Sequence, residues 1–338
     1  MGRNSPNWLR DGEKYALVGL RVKTEGTIPS GQMSPNLWTL VESSFAMPPN
    51  WREWLGSIRA DEVADCNLFL LSKQPSKTPD ILDAENIRLE QLTWNFYVGL
   101  LLSSTFAPAH RPVLLSGGRR GDQIDVRQQQ DFDVPYPRVF HPHPAVVAND
   151  VRLAADLGES LDALATAPLQ CGHWRLFRTL SVYTEGRVAS QIIDRIHQYS
   201  RCIDGVILPD IGKTKQQFRS RTELFIGPPH HQLMGEIYDV RSNVEHLHEY
   251  RYLETFDRAV RLELVRKEAI VEHVARRVLA RIIGDRSLWP YFANTSALAA
   301  FWALPPEQRQ QIWGSPFDPS EALAGFDPTY IRDGHLGA

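Results

Sequence analysis

Apolar positions in the first 150 residues alternate between strand-like and helix-like patterns. Short apolar runs are typical of buried strands. The longer segment Ala84–Leu102 has apolar residues near helical spacing, although Glu90 and Gln91 interrupt the stripe. We therefore expect one long helix among several strands in this region. The candidate strands are Tyr15–Lys23, Asn67–Ser72, Pro112–Ser116 and Ile124–Arg127.

From about Val151 to Ile283 the pattern becomes helical throughout. Apolar residues recur three and four positions apart, which places them on one face of a helix. Pro209–Gly212 and Gly227–Pro229 interrupt the pattern with helix-stop signals. Several helices joined by short connections form a helical bundle. The expected helices are marked by stripes over Val188–Val206, Leu233–Leu247 and Leu253–Ile282, with a short helix around Thr214–Phe225.

These patterns predict an α+β protein in three parts. We expect a mixed α/β domain over residues 1–150 with a sensing or regulatory role, followed by an all-α domain over residues 151–285. The Pro-rich segment Val134–Pro144 cannot be a central helix or strand, so it is the candidate linker. Residues 286–338 contain Trp and Pro residues and are expected to pack on the body as a short helical tail.

Composition narrows the class of protein. The 338 residues include 37 Lys+Arg and 40 Asp+Glu, which excludes a uniformly basic nucleic-acid-binding coat but not a local basic face. Cys66, Cys171 and Cys202 lie far apart, which argues against a disulfide framework and fits the reducing cytoplasm. No apolar stretch approaches the ~20 residues that span a bilayer, and residues 1–14 lack the apolar segment of a secretory signal. We therefore expect a cytoplasmic protein with no membrane partner.

The candidate chemistry lies in the segment Glu236–Tyr250, which reads EIYDVRSNVEHLHEY. Four residues separate Arg241 from His246, and Tyr238 and Asp239 precede the arginine. This Arg-x4-His spacing resembles the signature of HEPN domains, whose motif has four to six residues between Arg and His. The match is most similar to the Apea-like HEPN group, in which the motif lies on a late helix.

The flanking sequence extends the resemblance. Ile192–Arg221 is similar to the helix pair that precedes the motif in the Apea-like group, and Leu264–Glu268 is similar to its terminal helix. The resemblance covers about residues 170–283, where Lys and Arg outnumber Asp and Glu. It implies that residues 151–285 form a HEPN-like helical bundle, and the mildly basic charge suits a nucleic-acid substrate.

Three positions depart from the family pattern. Leu247 stands where the Apea-like group usually has Gly, and Asp204 occupies a position where Glu is common. A related toxin subgroup has Tyr where this chain has His248, so regulation by adenylylation of such a Tyr is not expected.

The resemblance implies a metal-independent RNA endonuclease that needs no cofactor. In such enzymes the 2′-hydroxyl of the substrate attacks the adjacent phosphate and leaves a 2′,3′-cyclic phosphate. Arg241 would hold the phosphate with its planar guanidinium, and His246 would act as acid or base, because imidazole exchanges protons near neutral pH. Six further residues are assigned roles: Ser242, Arg219 and Arg221 would contact the RNA, and Tyr238, Asp239 and Asp204 would support the motif.

Helix geometry leaves the identity of the histidine open. Five positions along a helix rotate ~140° beyond a full turn, so Arg241 and His246 would not lie side by side on an unbroken helix. His248 returns to within ~20° of Arg241, but ~10 Å farther along the axis. A dimer would resolve the conflict, because the Arg of one protomer could meet the His of the other. His246 is the first candidate, and His248 is the alternative.

Two functional hypotheses follow. The first is a homodimer that cuts RNA through its HEPN-like domain, with a toxin or antiphage defence role and an antitoxin or defence partner implied by the resemblance. The alternative is a catalytically inactive HEPN-like module that dimerises or binds RNA. An open basic groove at Arg241 and the histidines would favour the first. A buried Arg241–Glu245 or Arg241–Asp239 pair without a cleft would favour the second.

Overall fold

The chain forms two compact units. The computed structural model describes residues 7–138, 140, 144–167, 172–246 and 257–331. The first unit is Met1–Pro135 with His143–Ala163, and the second is Tyr136–Pro142 with Leu164–Ala338. The predicted α+β class is confirmed, because the first unit contains a sheet and the second contains helices. The expected boundary at residue 150 falls inside a helix, most of which belongs to the first unit.

Nine strands and three helices build the first unit from the described residues. The strands are β1 (Glu13–Leu20), β2 (Thr24–Glu25), β3 (Gly31–Gln32), β4 (Leu37–Val41), β5 (Leu68–Pro75), β6 (Val113–Arg120), β7 (Gln123–Ile124), β8 (Gln128–Asp131) and β9 (Val146–Val147). The helices are α1 (Trp51–Asp65), α2 (Ala84–Ser103) and α3 (Ala148–Ala165). The predicted strand at Ile124–Arg127 is replaced by β7 and β8, and the other three predicted strands overlap β1, β5 and β6.

Strand β1 lies in the middle of the main sheet. The order is β3-β4-β5-β1-β6-β7, with β8 also paired to β6, and β1 is antiparallel to both neighbours. Tyr15 packs against Trp51 of α1, with ring centroids 6.0 Å apart. The hydroxyl of Thr93 in α2 donates to the carbonyl of Ala16, the next residue of β1. Successive residues of a strand point to opposite faces, so both faces of β1 are covered and the strand is buried along almost its whole length.

The second unit is a helical bundle centred on one helix. Its helices are α4 (Trp174–Val188), α5 (Ile192–Ile207), α6 (Thr214–Ile226), α7 (His231–Glu245), α8 (Arg258–Gly284), α9 (Trp289–Phe292), α10 (Thr295–Ala303) and α11 (Pro306–Trp313). Helix α5 packs against α4, α7 and α8, and α6 packs against α7. No helix in the described ranges is both long and apolar enough to cross a membrane.

The apolar stripe that predicts a single helix over Val188–Val206 belongs to two helices. Helix α4 ends at Val188, and α5 begins at Ile192. The stripe continues across the break because these two residues are four apart, as they would be within a helix. The buried face of α5 itself follows the prediction and includes Ile196, Tyr199 and Ile203.

The C-terminal tail contributes to the core of the bundle. The indole nitrogen of Trp302 donates to the Val206 carbonyl at 3.0 Å. Trp313 is fully buried, with its ring centroid 4.6 Å from that of Phe225, and the Arg281 guanidinium lies over it at 4.9 Å. The tail therefore closes the ends of α5 and α6 and supports the helices that carry the motif.

A buried ionic cluster holds α4, α5 and α8 together. The carboxylate of Glu272 accepts hydrogen bonds from Arg138 at 2.6 Å, Arg276 at 2.8 Å and Tyr183 at 3.0 Å. One turn earlier on α8, Glu268 pairs with Arg195 of α5 at 3.2 Å. Both carboxylates are 2% exposed, so each depends on its partners to offset the loss of water.

Candidate functional site

Two helix faces position the motif. The buried face of α7 includes Met234, Ile237, Tyr238 and Val240, which leaves Arg241 at the edge of the buried stripe. On α5, Asp204 follows the buried Ile203 and lies at the corresponding edge. Because α5 and α7 pack together, their edges bring Asp204 to Arg241.

Arg241 is held by three side chains. Its Nη2 lies 3.2 Å from Asp204 Oδ2, and its Nη1 lies 2.7 Å from Glu245 Oε2. Nη1 also donates to the Tyr238 hydroxyl at 3.2 Å, and the guanidinium stacks over that ring at 5.1 Å from its centroid. The Arg241 side chain is 15% exposed, and its Nε is enclosed without a hydrogen-bond partner among the described residues.

Asp204 is a largely buried carboxylate. Burial raises its pKa to about 6, although the charge of Arg241 opposes the rise and that of Glu245 adds to it. Asp204 is therefore mostly ionised at neutral pH, and its charge balances that of Arg241. The Asp204–Arg241 ion pair holds the guanidinium on its buried side. Glu245, which is 45% exposed, contacts the guanidinium on the side that faces solvent.

His246 lies where α7 ends. It is exposed, and its backbone N–H donates to the Ser242 carbonyl at 3.1 Å, which closes the last turn of the helix. Ser242 is half-buried. The alternative histidine, His248, lies outside the described residues.

His197 of α5 is a histidine that the sequence reasoning missed. It is seven residues before Asp204, so both lie on nearly the same face of the helix, ~10 Å apart along its axis. It is half-buried, and its Nε2 is enclosed with no hydrogen-bond partner in the described part of the chain. Burial lowers its pKa, and the charges of Arg201 and Arg241 lower it further. The imidazole is therefore neutral at pH 7. Its seven-residue spacing from Asp204 was the available signal in the sequence.

Two of the motif-supporting residues connect α7 to the start of α6. The Tyr238 hydroxyl donates to Thr214 Oγ1 at 2.8 Å, and its ring packs 5.4 Å from that of Phe218. Asp239 is exposed and pairs with Lys215 at 2.6 Å. Arg219 lies on α6 and is half-buried beside Gly235 of α7. These residues form a second polar region next to Arg241.

Arg221 lies elsewhere. Its Nη1 donates to the carbonyls of Ile207 and Leu208, where α5 ends and Leu208 has a positive φ of 49°. Its guanidinium also stacks on Trp302, 5.3 Å from the ring centroid. Arg221 therefore satisfies carbonyls that the helix end leaves unpaired, and we leave it out of the candidate site.

No family model, curated protein or solved structure matches the chain. The resemblance to HEPN domains therefore depends on the motif residues and the order of the helices around them. The local geometry adds an independent argument, because it pairs Arg241 with the carboxylates of Asp204 and Glu245 at the edge of one helix pair, and His246 ends the helix that carries Arg241. A guanidinium can bind a phosphate, and an imidazole can exchange protons near neutral pH.

Proposed function

We propose that this protein is a metal-independent RNA endonuclease of HEPN type. The observation that carries the proposal is the Asp204–Arg241 pair, which fixes a guanidinium on the last turns of α7, the helix that ends at His246. Burial and the charges of Arg201 and Arg241 lower the pKa of His197 on α5, which keeps this imidazole neutral. Fixed donors of this kind stabilise charge that develops in a transition state better than mobile ones do.

Each group has a distinct role in the proposed reaction. Arg241 binds the scissile phosphate after the phosphate displaces Glu245, which is the most exposed of its partners. A neutral imidazole accepts the proton of the 2′-hydroxyl as its oxygen attacks the phosphorus. A protonated imidazole donates to the 5′-oxygen as the P–O bond breaks, which leaves a 2′,3′-cyclic phosphate. In this proposal His197, which burial keeps neutral, is the base, and His246, which is exposed at the end of α7, is the acid.

The assembly and setting are part of the same proposal. Two copies would associate through their HEPN-like units, so that the Arg241 of one faces the His246 of the other. The resemblance also supports a cytoplasmic toxin or antiphage defence enzyme, with an antitoxin or defence protein as its partner. Light scattering of the purified chain tests the dimer separately from the chemistry.

The test of the activity uses the wild-type chain and chemically altered RNA. End-labelled single-stranded RNAs are incubated in excess EDTA, and the products are resolved with and without acid opening of cyclic phosphates. We expect cleavage that survives chelation and leaves 2′,3′-cyclic phosphate ends. A single 2′-deoxy substitution at the cleaved position should stop cleavage there, because the nucleophile is missing. Products with 3′-hydroxyl ends, or loss of activity in EDTA, would overturn the proposal.

A second candidate function is a HEPN-like module that binds RNA or dimerises without cutting. The observation that favours it is the close Arg241–Glu245 contact, which occupies the guanidinium in the single chain. Binding of RNA by a folded dimer that produces no cleavage of any RNA tested would favour this candidate.

We predict that Glu245→Gln strengthens RNA binding about two- to fivefold, since exposed ion pairs contribute up to ~1 kcal/mol. The neutral amide would compete less with a phosphate for Arg241 and would not repel it. Fluorescence anisotropy with a non-cleavable 2′-O-methyl RNA measures the change. Glu236→Gln is the matched control, because Glu236 lies on the same helix, is 42% exposed and pairs with Lys267. Equal changes in both variants would show that only net charge matters.

A further inference from the structure

A basic pocket lies at the start of α6, outside the contacts of Arg241. Its volume is about 430 Å³, and it opens to solvent between the first turns of α6 and α7. The residues that line it are Gly212, Lys213, Thr214, Lys215, Gln216, Arg219 and His231. Four of these can carry positive charge, and none is acidic.

The charges of the pocket are only partly neutralised. Lys215 pairs with Asp239, and His231 contacts Glu223. Lys213 is exposed and has no ion pair among the described residues. Arg219 is half-buried, and its Nε is enclosed without a hydrogen-bond partner in the described ranges. Two cationic side chains are thus available to an anion.

The backbone adds to the positive potential. Helix α6 has 13 residues, and no acidic residue occupies its first turn. The N–H groups at the start of a helix point outward and carry partial positive charge, which favours a bound anion. The N-cap residue is Lys213, whose ammonium group can only donate hydrogen bonds and so leaves these N–H groups uncapped. The basic side chains and the N-terminus of α6 therefore both contribute positive potential to the pocket.

One hydroxyl joins the pocket to the candidate active site. Thr214, which lines the pocket, accepts from the Tyr238 hydroxyl at 2.8 Å. The same hydroxyl accepts from Arg241 at 3.2 Å. One phenol oxygen therefore links a hydroxyl that lines the pocket to the guanidinium.

We infer that this pocket binds a phosphate of single-stranded RNA next to the phosphate held by Arg241. The inference rests on the proposed function for the identity of the strand, but the binding of a backbone phosphate does not require that the chain cuts it. A positively charged groove that follows the backbone is how single strands are bound without sequence preference. The pocket would fix the register of the strand, and Arg241 would receive the following phosphate.

The test measures how RNA affinity depends on salt. The logarithm of the affinity falls as the logarithm of the salt concentration rises, and each phosphate contact that is lost makes this slope shallower by about 0.7 for single strands. We expect Lys213→Ala to lower the slope by about this amount and to weaken binding of a 2′-O-methyl oligonucleotide about three- to tenfold at low salt. Lys77→Ala is the matched control, because Lys77 is also exposed and lies in the first unit. Thermal unfolding of both variants checks that they fold alike.

The outcomes separate this inference from the proposed activity. A reduced slope for Lys213→Ala but not for Lys77→Ala supports the pocket, whether or not the wild-type chain cuts RNA. Wild-type cleavage together with an unchanged slope and affinity for Lys213→Ala overturns the pocket and leaves the nuclease intact. Equal losses in both variants also overturn it, because they reveal a general effect of charge. Failure of the wild-type chain to bind RNA would overturn both proposals.

Discussion

Replacing Arg241 with alanine, or His246 with asparagine, is expected to lower the rate of RNA cleavage by about 10²–10⁴-fold. Removal of a fixed donor to developing charge lowers rates by ~10²–10³. Removal of a general acid or base lowers them by ~10²–10⁴. Arg241→Lys is expected to restore little, because an ammonium group lacks the planar fork that contacts two phosphate oxygens. Single-turnover cleavage of an end-labelled RNA at saturating enzyme measures the chemical step.

The Arg241 variant needs a control for stability. Its removal leaves Asp204 only 16% exposed and without its main cation, so the variant could lose activity through partial unfolding. The double variant Arg241→Ala/Asp204→Asn removes the uncompensated charge and should unfold at nearly the wild-type urea concentration. Cleavage at the wild-type rate by this folded double variant would contradict the assignment of Arg241.

The histidine variants decide which imidazole works. If His246→Asn cleaves at the wild-type rate, the assignment from the motif spacing is wrong, and His248→Asn becomes the next test. His197→Asn is expected to reduce cleavage and to remove the acidic limb of the pH–rate profile. The acidic limb reports protonation of the base. Because the pKa of His197 is lowered, we expect the midpoint of this limb below the usual pKa of histidine. A merely structural role for His197 would change stability without changing the shape of this profile.

Some of the fold follows from local pattern, and some depends on contacts between helices. The stripe over Leu233–Leu247 predicts α7, because the spacing of its apolar residues is set by the helix itself. The break between Val188 and Ile192 could not be predicted, since the apolar spacing continues across it. Periodicity identifies a buried face but does not show that one helix carries it.

The candidate site also contains one contact that the sequence predicts and others that depend on how helices pack. The Arg241–Glu245 contact follows from i,i+4 spacing on α7, and the sequence predicts it. The contact of Arg241 with Asp204, and the effect of the Arg241 charge on the pKa of His197, depend on how α5 packs against α7. Likewise, Arg219 and Arg221 are two residues apart on one helix, yet Arg219 lines a pocket while Arg221 closes the end of α5. Residue type and spacing could not separate these roles.

The stability of the helical unit is expected to depend strongly on Glu272. Glu272→Ala removes the carboxylate that Arg138, Arg276 and Tyr183 share, and it leaves buried guanidinium groups without a counter-charge. Breaking a buried ion pair by removing one partner lowers the free energy of unfolding by about 3–5 kcal/mol. Urea unfolding followed by far-ultraviolet circular dichroism measures the change. Glu263→Ala, on the same helix and 44% exposed, should change it by less than about 0.5 kcal/mol.

The pH dependence of stability gives the same prediction a second readout. Burial opposes the charged form of Glu272, but Arg276, Arg138 and Arg187 together outweigh it and hold its pKa well below the usual value of 4.5. The folded state therefore binds this proton more weakly than the unfolded state does. The stabilisation is complete above pH 4.5 and is lost as the pH falls below it. Glu272→Gln should consequently lose less stability than wild type between pH 5 and the acid limit of folding.

Equal stability of the Glu272 and Glu263 variants would contradict this account of the cluster. Parallel acid profiles for wild type and Glu272→Gln would contradict it independently. The cluster also bears on the site, because Glu268 and Arg195 join α8 to α5, the helix that carries Asp204 and His197. If Glu272→Gln stays folded but loses cleavage, α8 must hold α5 in the register that the Asp204–Arg241 pair requires. If it keeps cleavage, the α5–α7 contact is sufficient by itself to position the guanidinium.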